Sequence, residues 1–185
     1  MTRPSPKYFG LSSSTDLYLK LLYDIERLRS ARSTKAVQYA AFDAAVTGSH
    51  ILDWVLVELS PEAHLRLTWL RKGTNKKGKD GPIIQFIERN RDDLRGIDFC
   101  RQIANSVKHM KMSLGSPMKG MGIGSTIKLG GTGDLVTSAK VIAYIQIADG
   151  KKVDAVELFE ETADQWREFL VKEKLWVQPP PDWEE

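Results

Sequence analysis

The sequence predicts a mainly α-helical bundle, an up-and-down arrangement with a small β-hairpin inserted before its last helix. Apolar residues recur at helical spacing through most of the first 112 positions and again after residue 154. Between those stretches lie a glycine-rich run, Gly115 to Gly133, and a β-rich run from Leu135 to Ala148 that ends on the turn signal Asp149-Gly150. Helices, then a hairpin, then one helix able to close the bundle imply an α architecture with a β appendage.

Residues 1–13 carry Pro4, Pro6 and polar side chains and read as a flexible N-terminus. Ser14 or Thr15 is placed to cap a helix reaching about Arg32, with Leu17, Leu21, Leu22, Ile25 and Leu28 on one face. A second helix, from about Ser33 to Leu59, is apolar nearly all round. Its Ala40, Ala41, Ala44 and Ala45 let a neighbour come close, which places it at the centre of the bundle. Ser60-Pro61-Glu62 supplies a cap, a first-turn proline and a first-turn acid for a third helix lasting to about Lys72, on which His64 reads as exposed.

The loop from Arg71 to Lys79 holds five positive charges in nine residues. It reads either as a solvated surface loop or as a phosphate contact, and it lacks the spacing of a P-loop. A short helix over Ile83 to Arg89 and a long one from Asp93 to about Met112 follow. The glycine-rich run is expected to be a connector with at most one short strand near Ile123 to Leu129. Asp154-Ala155-Val156-Glu157 has the form of a helix cap with a reciprocal acid, and Val156, Phe159, Ala163, Trp166 and Leu170 mark the buried stripe of the last helix. One domain therefore spans 14–176, with connector and hairpin at about 115–153, and 177–185 is a Pro-rich acidic tail.

At 185 residues the chain is long enough to bury a sizeable core. Its net charge of +3 makes the whole no strong partner for polyanions. The charge is uneven: residues 151–185 carry five Lys/Arg against ten Asp/Glu, which leaves +8 on the first 150. Cys100 is the only cysteine, so an intrachain disulfide and a cysteine metal cage are excluded; its apolar neighbours at helical spacing make it a small buried hydrophobe. No basic-then-apolar leader opens the chain, and no run approaches the roughly eighteen uninterrupted apolar residues of a membrane span. A cytoplasmic protein is expected, with no membrane association and no cofactor.

Candidate chemistry centres on the helix that holds Cys100. Arg101, Asn105 and His109 fall at i, i+4 and i+8, stacking three polar side chains along one stripe with Lys108 beside them. A guanidinium, an amide and an imidazole in a row can bind phosphate or move a proton. On the central helix Asp43, Thr47, His50 and Trp54 share a stripe, and Asp53 is in reach of His50. Two such stripes facing each other form a polar pocket; the alternative is a set of buried, mutually satisfied groups that only organises packing. The His and Asp residues match no metal-ligand spacing, so no metal is expected. Trp176 and Trp183 suit core packing or a contact with a partner.

Two segments carry a resemblance. Phe42-Asp43, Val46-Thr47, His50 and Asp53-Trp54 follow an F-[ND]-x-x-V-T-x-x-H-x-x-D-W pattern, and Cys100 to His109 follows C-x-x-I-A-N-x-x-K-H. Both are similar to stretches in a group of bacterial helical proteins that itself resembles the HEPN superfamily, which includes ribonuclease toxins and abortive-infection proteins. The resemblance implies a helical bundle, often a homodimer, with a polar site near the dimer axis, and RNA, a nucleotide or a partner protein as ligand. It also implies a metal-independent endoribonuclease as one activity, with His109 as general acid/base, Arg101 or Lys108 stabilising charge and Asn105 positioning the phosphate. Seven residues separate Arg101 from His109, a longer spacing than in the active HEPN ribonucleases. A binding module, with Asp43, His50, Asp53 and Lys108 as further binding residues, and a structural or regulatory partner protein are the other expectations.

Overall fold

Short polar side chains start the helices. Ser13, rather than Ser14 or Thr15, caps α1 (Ser14–Ser30) in a reciprocal box with Asp16. Ser33 caps α2 (Thr34–Glu58) and Ser60 caps α3 (Pro61–Thr68), each accepting from the backbone three residues on. A 3-10 turn, Gly78–Asp80, leads into α4 (Pro82–Arg89), and α5 (Arg95–His109) follows. Strands β1 (Met118–Leu129), β2 (Val136–Ile147) and β3 (Lys152–Asp154) precede α6 (Ala155–Lys172), capped by Asp154. The computed structural model describes residues 10–109, 118–129, 136–147 and 149–178, and only the backbone of 107–109, 126–129 and 136–139. The start of the predicted N-terminal arm, the last residues of the long helix and most of the acidic tail with Trp183 lie outside the described residues.

The chain is mainly helical, and the appendage before the last helix is larger than a hairpin. It is a three-stranded antiparallel sheet of order β1-β2-β3. The predicted hairpin exists as β2 and β3, paired from Tyr144↔Asp154 to Gln146↔Lys152, with Gly150 at φ +88° in its turn. The run read as a connector is largely β1, paired with β2 from Met118↔Ile147 to Leu129↔Val136. Glycines weaken a strand locally, and a cross-strand partner offsets that weakness. A Cβ on Gly122 would stand 2.5 Å from the Tyr144 hydroxyl, so the tyrosine ring lies over the glycine and supplies the cover its own side chain lacks.

At the centre, α2, α5 and α6 meet at two glycines. A Cβ on Gly48 of α2 would stand 2.9 Å from Cys100 Sγ, and one on Gly96 of α5 would stand 2.1 Å from Thr162 Oγ1 and 3.1 Å from the Thr162 Cα. The Trp166 indole N–H donates to the Gly48 carbonyl at 3.1 Å. Cys100 is fully buried, and burial pushes its thiol up to about 12 against a small opposing effect of the Thr162 hydroxyl. Such a thiol is a packing group, as its sequence context implied. Trp166, Phe169 and Phe86 continue the core in edge-to-face contacts.

Polar contacts fasten α1. The buried Asp24 carboxylate accepts from Lys20 Nζ at 2.6 Å and from the Thr47 hydroxyl at 2.7 Å, and Arg27 reaches across to Asp43 at 3.0 Å. Glu58, at the end of α2, accepts from the Ser14 backbone N–H at 2.7 Å and from the Ser14 hydroxyl, placing an anion at the N-terminus of α1. After α6 the chain folds back, so that Trp176 packs edge-to-face on Tyr18, half-buried inside the fold.

One expectation, on α3, needs correction. His64 is buried, at 4% exposure, because its Nδ1 donates to the Leu70 carbonyl at 2.9 Å and closes the turn after α3. That turn ends α3 at Thr68, short of the predicted Lys72. By length and composition α2, 25 residues with mean hydropathy 1.2, is long and apolar enough to cross a membrane, although Lys35, Asp43 and Asp53 interrupt its apolar run and half of its most apolar stretch is buried against the rest of the fold. A single core helix satisfies the same criterion.

Because Gly96 touches the backbone of α6, a Cβ there cannot be absorbed by a side-chain rotation. Gly96→Ala should lower stability by about 1–3 kcal/mol, read as a shifted urea midpoint with unchanged slope. An unshifted midpoint would mean that α5 and α6 do not meet as closely as described.

Candidate functional site

The α2–α5 contact that Gly48 and Cys100 make close opens on one side into a cavity of about 480 Å³. Phe42, Val46, Leu52, Ile83 and Ala104 supply its apolar walls, and Ser49, His50, Asp53, Arg101 and Asn105 its polar ones. Arg101 and Asn105 come from α5 at i and i+4, so their side chains leave one face one turn apart. On α2 the cavity follows Phe42, Val46, Ser49 and Asp53 at i, i+4, i+7 and i+11, with His50 at its edge.

The structure thus gathers four of the residues singled out from the sequence: His50, Asp53, Arg101 and Asn105. Asp43 is not among them. It stands on the α1 side of α2, about 100° round the helix from Phe42, and holds Arg27. Thr47 is buried against α1, where it serves Asp24. The expected stripe is therefore one residue out of step, which on a helix is a rotation of about 100°. Lys108 and His109 belong to α5, but their side chains lie outside the described residues. Ser49 and Ile83 were not read from the sequence. The spacing of Phe42, Val46, Ser49 and Asp53 was the available signal for Ser49, and nothing local marks Ile83.

None of the polar side chains in the cavity is tied up. Among the described residues, Ser49, His50, Asp53, Arg101 and Asn105 make no side-chain hydrogen bond and no ion pair. His50 and Asp53 are exposed, and Arg101 and Asn105 half-buried. A purely architectural cluster is built differently, with each donor matched to an acceptor, as at Asp24. Crowding by the surrounding protein on one side raises the Asp53 carboxyl above the usual range, and the nearby His50 pulls it part of the way back.

Chemically, a guanidinium and an amide one turn apart offer a fork of N–H donors to a phosphate or carboxylate. The His50 imidazole at the rim adds a further hydrogen-bonding group. The described residues hold no group of three or more His, Cys, Asp or Glu placed to share a metal ion. A second cavity, about 340 Å³ and mostly apolar, lies beyond Phe42 and Ile103, between α2, α6 and the sheet.

Compared with known proteins, the chain matches no family model, no curated protein and no solved structure.

The Asp53 shift has a consequence for stability. A carboxyl raised in the folded state favours folding below its unfolded pKa, near 3.9, and loses that contribution as pH rises through the folded value. Asp53→Asn should therefore be more stable than wild type at pH 7, the difference vanishing towards pH 3.5 (thermal midpoints across pH). A variant less stable than wild type at pH 7 would show that the charged carboxylate has a stabilising partner.

Proposed function

We propose that the protein is a HEPN-like helical binding module, acting as a homodimer, whose cavity between α2 and α5 holds a phosphate-bearing ligand. The observation that carries this reading is the convergence of Arg101, Asn105 and His50, without hydrogen-bonding partners among the described residues, on one cavity of about 480 Å³. The polar atoms of Arg101, Asn105 and His50 stay open to solvent, so a ligand can engage them without breaking a contact within the fold. Arg101 supplies planar, two-point recognition of an anion, and Asn105 fixes its orientation. Phe42, Val46 and Ile83 give the remainder of the ligand an apolar surface.

A second reading, a metal-independent endoribonuclease, is favoured by one observation: His50, an exposed imidazole, shares the cavity with the Arg101 guanidinium. In such a reaction a histidine removes the proton of the ribose 2′-hydroxyl, the 2′-oxygen attacks phosphorus, and the P–O5′ bond breaks. The departing 5′-oxygen takes a proton, and Arg101 stabilises the charge that builds on the phosphoryl oxygens. His109 is the histidine that the family resemblance nominates for this role.

Thermal shift with phosphate, pyrophosphate and nucleoside mono- and diphosphates tests the binding reading. A ligand at a hundredfold excess over its Kd adds about 2.7 kcal/mol, and Arg101→Ala should abolish the shift. No shift with any of them ends the reading. RNA cleavage in EDTA tests the enzyme: loss in both Arg101→Ala and His109→Ala supports it, and loss in His50→Ala with His109→Ala active moves the acid/base role to His50. Intact transfer, ribosomal and messenger RNA with wild type rules it out.

A further inference from the structure

A second surface, built from residues outside the cavity, has the composition of a nucleic-acid platform. Trp69 follows α3 and is 70% exposed, in a left-handed backbone conformation (φ 56°) that a bulky side chain rarely adopts. A buried lock holds it there. The Thr68 hydroxyl donates to the His64 carbonyl at 2.7 Å, the Leu70 N–H donates to Thr68 Oγ1 at 3.1 Å, and His64 Nδ1 donates to the Leu70 carbonyl. Thr68 and His64 are both buried. The turn is thus fixed on the residues either side of Trp69, and the indole projects from it, 70% exposed. Strain sustained by a buried network to expose an aromatic ring is a reason to look for a ligand.

The surroundings define its chemistry. The Arg89 guanidinium of α4 lies over the indole, 3.0 Å from the ring centroid. Residues 61–91 carry eight Lys/Arg against three Asp/Glu, a net +5 on a chain whose total is +3. Some of these cations are engaged: Arg66 pairs with Glu173, and Lys72 donates to the Val57 and Leu59 carbonyls. Arg71, Lys76, Lys77 and Lys79 are exposed and form no ion pair among the described residues. On α4, Arg89 is six residues from Ile83 of the cavity wall, about 9 Å along the helix axis.

We propose that this face binds single-stranded nucleic acid, with a base stacked on Trp69 and the phosphates following the cations of the 71–79 loop. The combination is the one that such binding uses: an aromatic plane that any base can cover, set in a field of positive charge. A duplex keeps its bases stacked within itself and does not offer a free face to an indole. A bilayer needs a broad apolar face to hold a protein at its surface. Beside Trp69 the exposed large hydrophobes are Leu65 and Val57, whose carbonyl Lys72 holds; two aliphatic side chains among so many cations suit a base and not a membrane.

Fluorescence anisotropy with labelled single strands of about 20 nucleotides, oligouridine and oligothymidine, tests the proposal. Wild type should bind them more tightly than a duplex of the same length, and binding should fall steeply with salt. Trp69→Gly suits the left-handed position and should melt no lower than wild type, yet bind roughly 5- to 100-fold more weakly. Trp69→Phe should retain most of the affinity. Lys140→Ala, which removes an exposed cation of β2, should bind normally. No binding at low salt, undiminished binding by Trp69→Gly, a preference for the duplex, or binding only to phosphatidylserine vesicles would each overturn the proposal. Loss in Arg101→Ala alone would place the nucleic acid in the cavity and overturn it as well.

Discussion

Gly48 and Gly96 allow three helices to meet at backbone distance, and the remaining structure is arranged around that meeting. With no Cβ at Gly48, Cys100 sits directly on α2, and with none at Gly96, Thr162 of α6 sits directly on α5. Trp166 fills the space between them and ties its indole N–H to the Gly48 carbonyl. Two glycines inside helices carry a cost in helix propensity of about 1 kcal/mol each relative to alanine. The buried contacts of Trp166, Phe169 and Leu170 that the close approach permits offset it. The same approach sets the cavity. Where α2 and α5 touch at Gly48 and Cys100 they leave no gap, and alongside, at Ser49, Asp53, Arg101 and Asn105, they enclose one.

The molecule contains two polar clusters made from similar residues with opposite fates. Asp24, Thr47 and Lys20 are matched donor to acceptor, and the carboxylate is buried. This is a fastening between α1 and α2, worth having because each member satisfies another. His50, Asp53, Arg101 and Asn105 face each other across a cavity and satisfy nothing among the described residues. Both clusters draw on α2, within two turns of each other. The side of the helix on which a residue falls decides whether it serves the architecture or the cavity.

Glycine has different meanings in the sheet and in the bundle. The alternating Gly120, Gly122 and Gly124 look like a flexible connector in isolation, because glycine favours no regular structure. Paired with β2 they become one face of a strand, with Gly122 and Gly124 covered by Tyr144, whose own ring carries Lys152 above it. The Trp69 turn shows a related effect. Its conformation comes not from the tryptophan but from Thr68 and His64, which hold the backbone on either side of it.

Local signals in the sequence were enough to place most of the helices. Ser33, Ser60 and Asp154 announce their starts, 3.6-residue spacing marks their faces, and Asp149-Gly150 marks the turn between β2 and β3. These features act within a few residues of themselves, so a linear reading captures them. The polar residues of α5 were legible for the same reason: its amphipathic pattern leaves Arg101 and Asn105 on one side. On α2 the pattern is nearly apolar all round, so periodicity could not say which stripe would face α5, and Asp43 and Thr47 were assigned to the cavity in place of Ser49. Burial of His64, pairing of the glycine-rich strand and the wall supplied by Ile83 were likewise decided in three dimensions. Each depends on a partner distant in sequence or on a turn closed by tertiary packing. Sequence alone therefore determined where most of the helices lie and which polar groups they carry; tertiary structure decided which of those groups meet, because the meeting is set by packing between helices and strands rather than within them.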